Sequence, residues 1–249
     1  MSKFIKAFSR HLWIQFKMDI RERGTLLTYY LLPLVFYFIV GSVFVSINPA
    51  SKQTLAFSMM IFAVTMGAVL GMPAPVVKMS ESEVLRAYKV CGIPGWATLL
   101  VHAVSAFLHL SIVSLVILLT APVVFGAGIP TNYASYFAVL FILLFCNIAI
   151  GLLIGVSAKN QSAATLLSQA VFLPTVMLGG IMFPASMLPG ALRTLGYLIP
   201  ATYAMQSFSG YAFGLPIGVD AALSLMVLTL IGIAAAILVV LKSKAVKTE

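Results

Sequence analysis

Apolar residues run along this chain in long unbroken blocks, not in the alternation of a half-buried sheet. Six blocks reach the roughly 20 residues that a helix needs to cross a bilayer. They cover about residues 25–47, 54–77, 97–124, 133–156, 164–183 and 221–241. In hydrocarbon, every backbone polar group must be bonded within the protein. Continuous apolar runs therefore mean helices, whereas a barrel would alternate. The pattern predicts an all-α polytopic membrane protein with six transmembrane helices. Short breaks at 48–52, 126–132 and 159–161 supply turns between spans. Pro33 interrupts the first block, and Pro73 and Pro75 bend the end of the second. Two G-x-x-x-G pairs, Gly67/Gly71 and Gly151/Gly155, give neighbouring helices a place to approach closely.

Three stretches depart from the block pattern. Residues 1–24 read as an amphipathic helix and not as a cleavable signal, which would need a short apolar core and a small-residue cleavage site. Phe4, Ile5, Phe8, Leu12, Trp13 and Phe16 form one face, and Lys3, Lys6, Arg10, Lys17 and Arg21 lie mostly on the other. Such a helix lies in the membrane interface or packs on neighbouring protein; both readings stay open. Residues 78–94 hold most of the internal charge. Ser80 and Glu83 form an S-x-x-E capping box that predicts a helix start, with Val84, Leu85 and Tyr88 at helical spacing and Gly92 and Pro94 as the stop. That stretch is either a solvated connecting loop or a docking element for a water-soluble partner. Residues 184–218 are apolar but broken by Pro184, Pro189, Pro200 and Pro216 and by five glycines. They predict one or two short re-entrant or interfacial helices, with Tyr197, Tyr203, Tyr211 and Phe213 suited to the interface. The domain organisation is thus an interfacial helix at 1–24 and a six-span domain at 25–249.

Composition narrows the class further. The 249 residues are 61% hydrophobic, and only 15 basic and 6 acidic side chains carry formal charge. The net charge of +9 could suggest nucleic acid, but its placement points to the membrane instead. With six spans and both termini cytoplasmic, 13 of the 15 basic residues fall on the inner side, leaving Lys52 and Arg193 outside. A multi-pass protein of a cell (plasma or inner) membrane, bound to lipid and not to nucleic acid, is expected. Cys91 and Cys146 suggest no disulfide framework.

The chain carries no phosphate loop, no HExxH metal pair and no G-x-S-x-G elbow, so no catalytic, cofactor-binding or metal residue is assigned. Intramembrane ionisable groups are few. His102 and His109 lie seven apart on one helix face, where they form a proton relay, a polar lining, or bonds to nearby backbone or serine. Asn147, Gln169 and Gln206 are either pathway lining or interhelical glue.

The chain resembles permease subunits of the ABC type-2 exporter family. Three regions carry the likeness. Residues 82–86 through Ile93-Pro94 resemble the family's first cytoplasmic loop, although Val84 stands where the family usually has glycine. Phe183-Pro184, Leu188-Pro189 and residues 198–203 resemble the family's late proline-rich segment. The amphipathic start is the third. The resemblance implies a permease that pairs with a second permease subunit as homo- or heterodimer and binds two cytoplasmic ABC ATPase subunits. ATP and magnesium would sit in those partners and not in this chain. Glu81, Glu83, Val84, Leu85, Arg86, Tyr88 and Lys89 would form the coupling helix seated on the ATPase. Pro184, Pro189, Pro200 and Tyr203 would belong to an extracytoplasmic gate, and the first, second and fifth spans would line the route. The expected cargo is an amphipathic drug, antibiotic peptide or lipid-linked molecule. A proton-coupled carrier and a non-transporting immunity or binding protein are the alternatives.

Overall fold

The computed structural model describes residues 2–81, 95–184 and 187–245, with side chains for 8–80, 95–184 and 187–243. Six helices are long and apolar enough to cross a membrane: Arg23–Ile47, Pro49–Ser80, Gly95–Phe125, Tyr133–Ser157, Gln161–Leu178 and Ala221–Ser243. A separate helix, Ser2–Arg21, precedes the first span. Helices joined by short turns make up the described residues, with no strand among them. The block pattern and the architecture agree because apolar length alone selects the helix in hydrocarbon.

The second span is the hub. Every residue from Leu55 to Val69 is buried, so this helix is enclosed by its own chain. The resemblance implies a route-lining role for it, but its middle faces only the core. The glycine pairs explain the close packing. A side chain on Gly151 would meet the Ala68 carbonyl of the second span, and one on Gly155 would meet Val76. Gly67 and Gly71 instead receive Tyr29 of the first span and Leu110 of the third. Small residues therefore let the first, third and fourth spans close around the second.

Prolines shape both of the first two spans. Residues Leu27–Leu31 and Met66–Gly71 form π turns. Each includes the residue four before a proline, Tyr29 before Pro33 and Val69 before Pro73. Proline has no N–H for that carbonyl and its ring crowds it, so the turn widens. The two widened turns meet, with Tyr29 against Gly71.

The fifth span ends earlier than the apolar block suggests, at Leu178 and not near residue 183. Gly179 caps it, and Gly180 takes a φ of +80°, a left-handed turn that glycine adopts at no steric cost. Helices Gly190–Gly196 and Pro200–Ser207 follow, the second continued by a π turn at Phe208–Ala212. The broken region is thus two short helices. The second is embedded: Ala201, Ala204, Ser207, Phe208 and Ala212 are buried. Its end is tied to the turn between the third and fourth spans, where Thr131 N–H donates to the Ala212 carbonyl at 2.7 Å. Phe57 of the second span packs on Phe213 with ring centroids 4.8 Å apart. The sixth span then starts on Asp220, whose carboxylate accepts the Ala222 and Leu223 N–H groups at 2.8 and 3.1 Å.

Candidate functional site

Among the described residues, a buried polar cluster joins the amphipathic helix to the third span. Asp19 is buried, at 7% exposure, and His109 is fully buried. Ser105 Oγ donates to Asp19 Oδ2 at 2.5 Å, and Gln15 Nε2 donates to Oδ1 at 2.8 Å. His109 Nε2 stands 3.6 Å from the same Oδ2, an ion-pair distance just beyond a hydrogen bond. On the other ring nitrogen, His109 Nδ1 lies 2.6 Å from the Tyr30 hydroxyl. A Tyr30 hydroxyl donating to Nδ1 leaves the Nε2 hydrogen facing the carboxylate. Phe16 stacks on the imidazole at 4.3 Å, and Tyr29 and Tyr30 close its other sides at 5.6 Å each.

Local sequence explains the docking. Leu12, Phe16 and Asp19 follow helical spacing, so one stripe of the amphipathic helix carries an aromatic ring and then a carboxylate. Ser105 and His109, one turn apart on the third span, meet that stripe. Away from that stripe, Trp13, Ile14 and Lys17 are exposed, and Met18 and Arg21 are exposed at the edge of the docked side. Burial pushes the Asp19 carboxyl up, but His109, Ser105, Gln15 and the nearby His102 outweigh it, and the group rests below the usual carboxylate range. The cluster holds a charge in place between two helices. It presents no nucleophile beside a base.

A second, weaker tie lies beside it. Lys78 Nζ contacts Glu22 Oε1 at 3.4 Å, and Thr25 Oγ1 donates to Glu22 Oε2 at 3.1 Å. Both charged partners are largely exposed, so this pair contributes little on its own.

The residues predicted from sequence fall in different places. His109 is sealed inside the aromatic cage, while His102 lines a cavity beneath the amphipathic helix together with Asp19. Asn147 is buried and donates to the Leu143 carbonyl of its own helix at 3.0 Å. Gln206 accepts the Gly218 N–H at 2.9 Å, a bond within the two-helix region. Gln169 is exposed on the fifth span and lines a small hollow with Thr165, Ser168 and Pro73. Pro184 and Pro189 are exposed, Pro200 opens its helix, and the Tyr203 hydroxyl donates to the Tyr197 carbonyl at 2.7 Å. Glu83, Val84, Leu85, Arg86, Tyr88 and Lys89 lie outside the described residues, as does the Glu81 side chain. Ser80 does not start a helix. It sits in the last turn of the helix Pro73–Glu81, and its hydroxyl donates to the Val77 carbonyl at 2.7 Å. The second span simply continues through it, anchored by buried Val76 and Val77.

Sequence reasoning passed over Asp19. The signal was present: a single carboxylate on the apolar stripe of a helix whose other charges are basic up to that point.

The fifth span stands apart from the others. Its mean hydropathy is 1.2, against 2.0 to 2.9 for the other five. Its exposed side carries Ser162, Thr165 and Gln169 among Leu166, Leu173 and Met177. A polar, exposed membrane helix is poorly matched to lipid.

Comparison with known sequences places the chain. The profile of the ABC-2 type transporter family matches residues 6–213, which takes in the amphipathic helix, five spans and both short helices. Two relatives, named "Probable multidrug ABC transporter permease YbhS" in Escherichia coli strains K12 and O157:H7, are each 36% identical over 85 residues. That alignment covers 32% of this chain and 22% of each relative, so the chain matches only about a fifth of the length of these curated relatives. On the extent of the family match, which covers more than half of the chain and five of its six candidate spans, this chain belongs to the ABC-2 type transporter family.

Proposed function

We propose that this chain is the membrane-spanning half of an ATP-driven exporter of amphipathic cargo. The observation that carries the reading is the fifth span, with its low hydropathy and its exposed Thr165 and Gln169. Such a face suits a second permease subunit and a polar route between the two, not bulk lipid. The cargo class is an amphipathic drug, antibiotic peptide or lipid-linked molecule, moved out of the cytoplasm or the inner leaflet. ATP and magnesium belong to separate ATPase subunits, which seat on residues 81–89 and on the adjoining amphipathic helix. Both termini face the cytoplasm, as the basic side chains favour. Nucleotide-driven movement of the ATPases reaches the spans through these two handles. The enclosure of His109 by Phe16, Tyr29 and Tyr30 favours a structural role over a proton relay in a water-filled path.

The test is a mild-detergent pull-down of the tagged protein from its own cells, with co-purifying chains identified and ATP hydrolysis assayed. An ATPase chain is expected, and it should be lost when Glu83→Ala and Leu85→Ala are combined. Absence of any ATPase, under conditions that keep other membrane complexes together, would end the exporter reading.

A further inference from the structure

A cavity of about 500 Å³ lies between the amphipathic helix, the end of the second span and the start of the third. The exporter reading makes no use of it. Thr98 and His102, one turn apart on the third span, share its wall. Thr98 is 1% exposed, and its hydroxyl has no hydrogen-bond partner. No hydrogen bond joins His102 to another of the described residues.

The cavity also holds two carboxylates, Asp19 and Glu22, but both are engaged. Asp19 takes Ser105 and Gln15, with His109 beside it, and Glu22 takes Thr25 and Lys78. Among the lining groups without a full complement, those able to donate are the Thr98 hydroxyl, the His102 ring and the guanidinium of Arg21 at the rim, with Lys78 shared; the Gln15 carbonyl is left as an acceptor. A set of uncommitted donors asks for an acceptor that brings several oxygens, as a phosphate does.

The surroundings favour a lipid as the source of that phosphate. Met18 and Pro75 carry the wall outward from the polar end. The exposed face of the amphipathic helix mixes Trp13, Ile14, Met18 and Ile20, each 43–59% exposed, with Arg10, Lys17 and Arg21. That mixture suits the headgroup layer of an anionic leaflet. We propose that this cavity binds the phosphate of an anionic phospholipid, with Thr98 and His102 as inner donors and Arg21 and Lys78 closing over the charge. A lipid seated there would brace the amphipathic helix against the second and third spans.

Full-length protein in neutral detergent is titrated with dioctanoyl phosphatidylglycerol, dioctanoylglycerol, inorganic phosphate and dodecyltrimethylammonium, and binding is read by native mass spectrometry. Phosphatidylglycerol should bind about tenfold or more tightly than dioctanoylglycerol, the worth of one charge-assisted bond. Thr98→Val is near-isosteric and removes only the unpaired hydroxyl. It should weaken phosphatidylglycerol binding about three- to tenfold while leaving the unfolding temperature of the lipid-free protein unchanged. Arg21→Gln, on the exposed rim, should weaken it by a similar factor. Equal binding of the two lipids, or equal affinity of wild type and both variants, overturns the site. Inorganic phosphate binding as tightly as the lipid overturns the lipid source. Tighter binding of the ammonium amphiphile overturns the anion chemistry.

Discussion

Asp19 accepts a 2.5 Å hydrogen bond from Ser105, a residue 86 positions further along the chain. The bond fastens the helix that precedes the first span onto the third span, not onto the span it directly enters. A force on the amphipathic helix therefore reaches the third span through a buried contact and the first span through the backbone. Asp19→Ala would strand Ser105, Gln15 and the Nε2 side of His109 around an empty position. The expected loss is about 2–4 kcal/mol of docking stability, because buried groups left unpaired keep their full desolvation penalty. Trypsin should then cut at Lys17 and Arg21 several times faster in native membranes. Unchanged cleavage rates in Asp19→Ala would show that the cluster does not hold the helix.

The same contact sets a pH dependence with a definite sign. The Asp19 carboxyl rests below its ordinary range when docked, so docking is fully supported above that range, near 4 for a free carboxyl. Support falls away as pH drops through the depressed docked value. The groups facing it are Gln15 on its own helix and Ser105, His109 and His102 on the third span, with Tyr30 of the first span behind His109. Trp13 reports the event. The chain has 2 tryptophans, so Trp96→Phe leaves Trp13 as the sole fluorophore on the moving helix. Its emission should shift as pH falls below about 4, and Asp19→Asn should remove that acid transition. A transition that survives Asp19→Asn would assign it to another group.

What the sequence discloses here follows from range. The spans are legible because a run such as residues 133–156 must be helical whatever its neighbours do. The glycine pairs are legible as contact points, but not their partners: that Gly151 meets Ala68 while Gly67 meets Leu110 depends on how four helices are arranged. The end of the fifth span is misjudged because hydropathy carries on past Leu178, whereas Gly179 and Gly180 decide the backbone. Ser80 is misread because a capping box is a local pattern, and the helix arriving from Pro73 overrides it. Asp19 is missed because its meaning lies in Ser105 and His109, which no local window contains.

The Gly151 contact is open to a direct test. A Cβ there would press on the backbone carbonyl of Ala68 and come within 3.4 Å of the Met72 Cβ. Backbone cannot rotate away as a side-chain tip can, so the fourth span would have to move off the second. Gly151→Ala should cost about 1–3 kcal/mol, in the range of overpacked cores. Gly24 sits in a helix with nothing within 4 Å of its virtual Cβ. Gly24→Ala should be neutral or stabilising by up to about 1 kcal/mol, since alanine loses less entropy in a helix. Thermal unfolding in one detergent compares the two. If Gly24→Ala were the more damaging, the packing described around Ala68 would be wrong.

The exposed polar side of the fifth span makes the last prediction. Gln169 projects from a helix whose mean hydropathy is 1.2, and it lines a hollow with Thr165 and Ser168. If that side meets a second copy of this chain, cysteines placed there will lie close to their twins. Cys91→Ser with Cys146→Ala provides the background, since these are the chain's 2 cysteines. On it, Gln169→Cys should form a dimer under mild oxidation or with a short bis-maleimide. Leu119→Cys, 62% exposed on the third span, should remain monomeric as the lipid-facing control. Dimer from Gln169→Cys alone would place the fifth spans together at a homodimer interface. Dimer from neither, in membranes where the protein co-purifies with another permease chain, would make the partner a different subunit. Dimer from Leu119→Cys alone would move the interface to the third span and remove the fifth-span face from the account of the route.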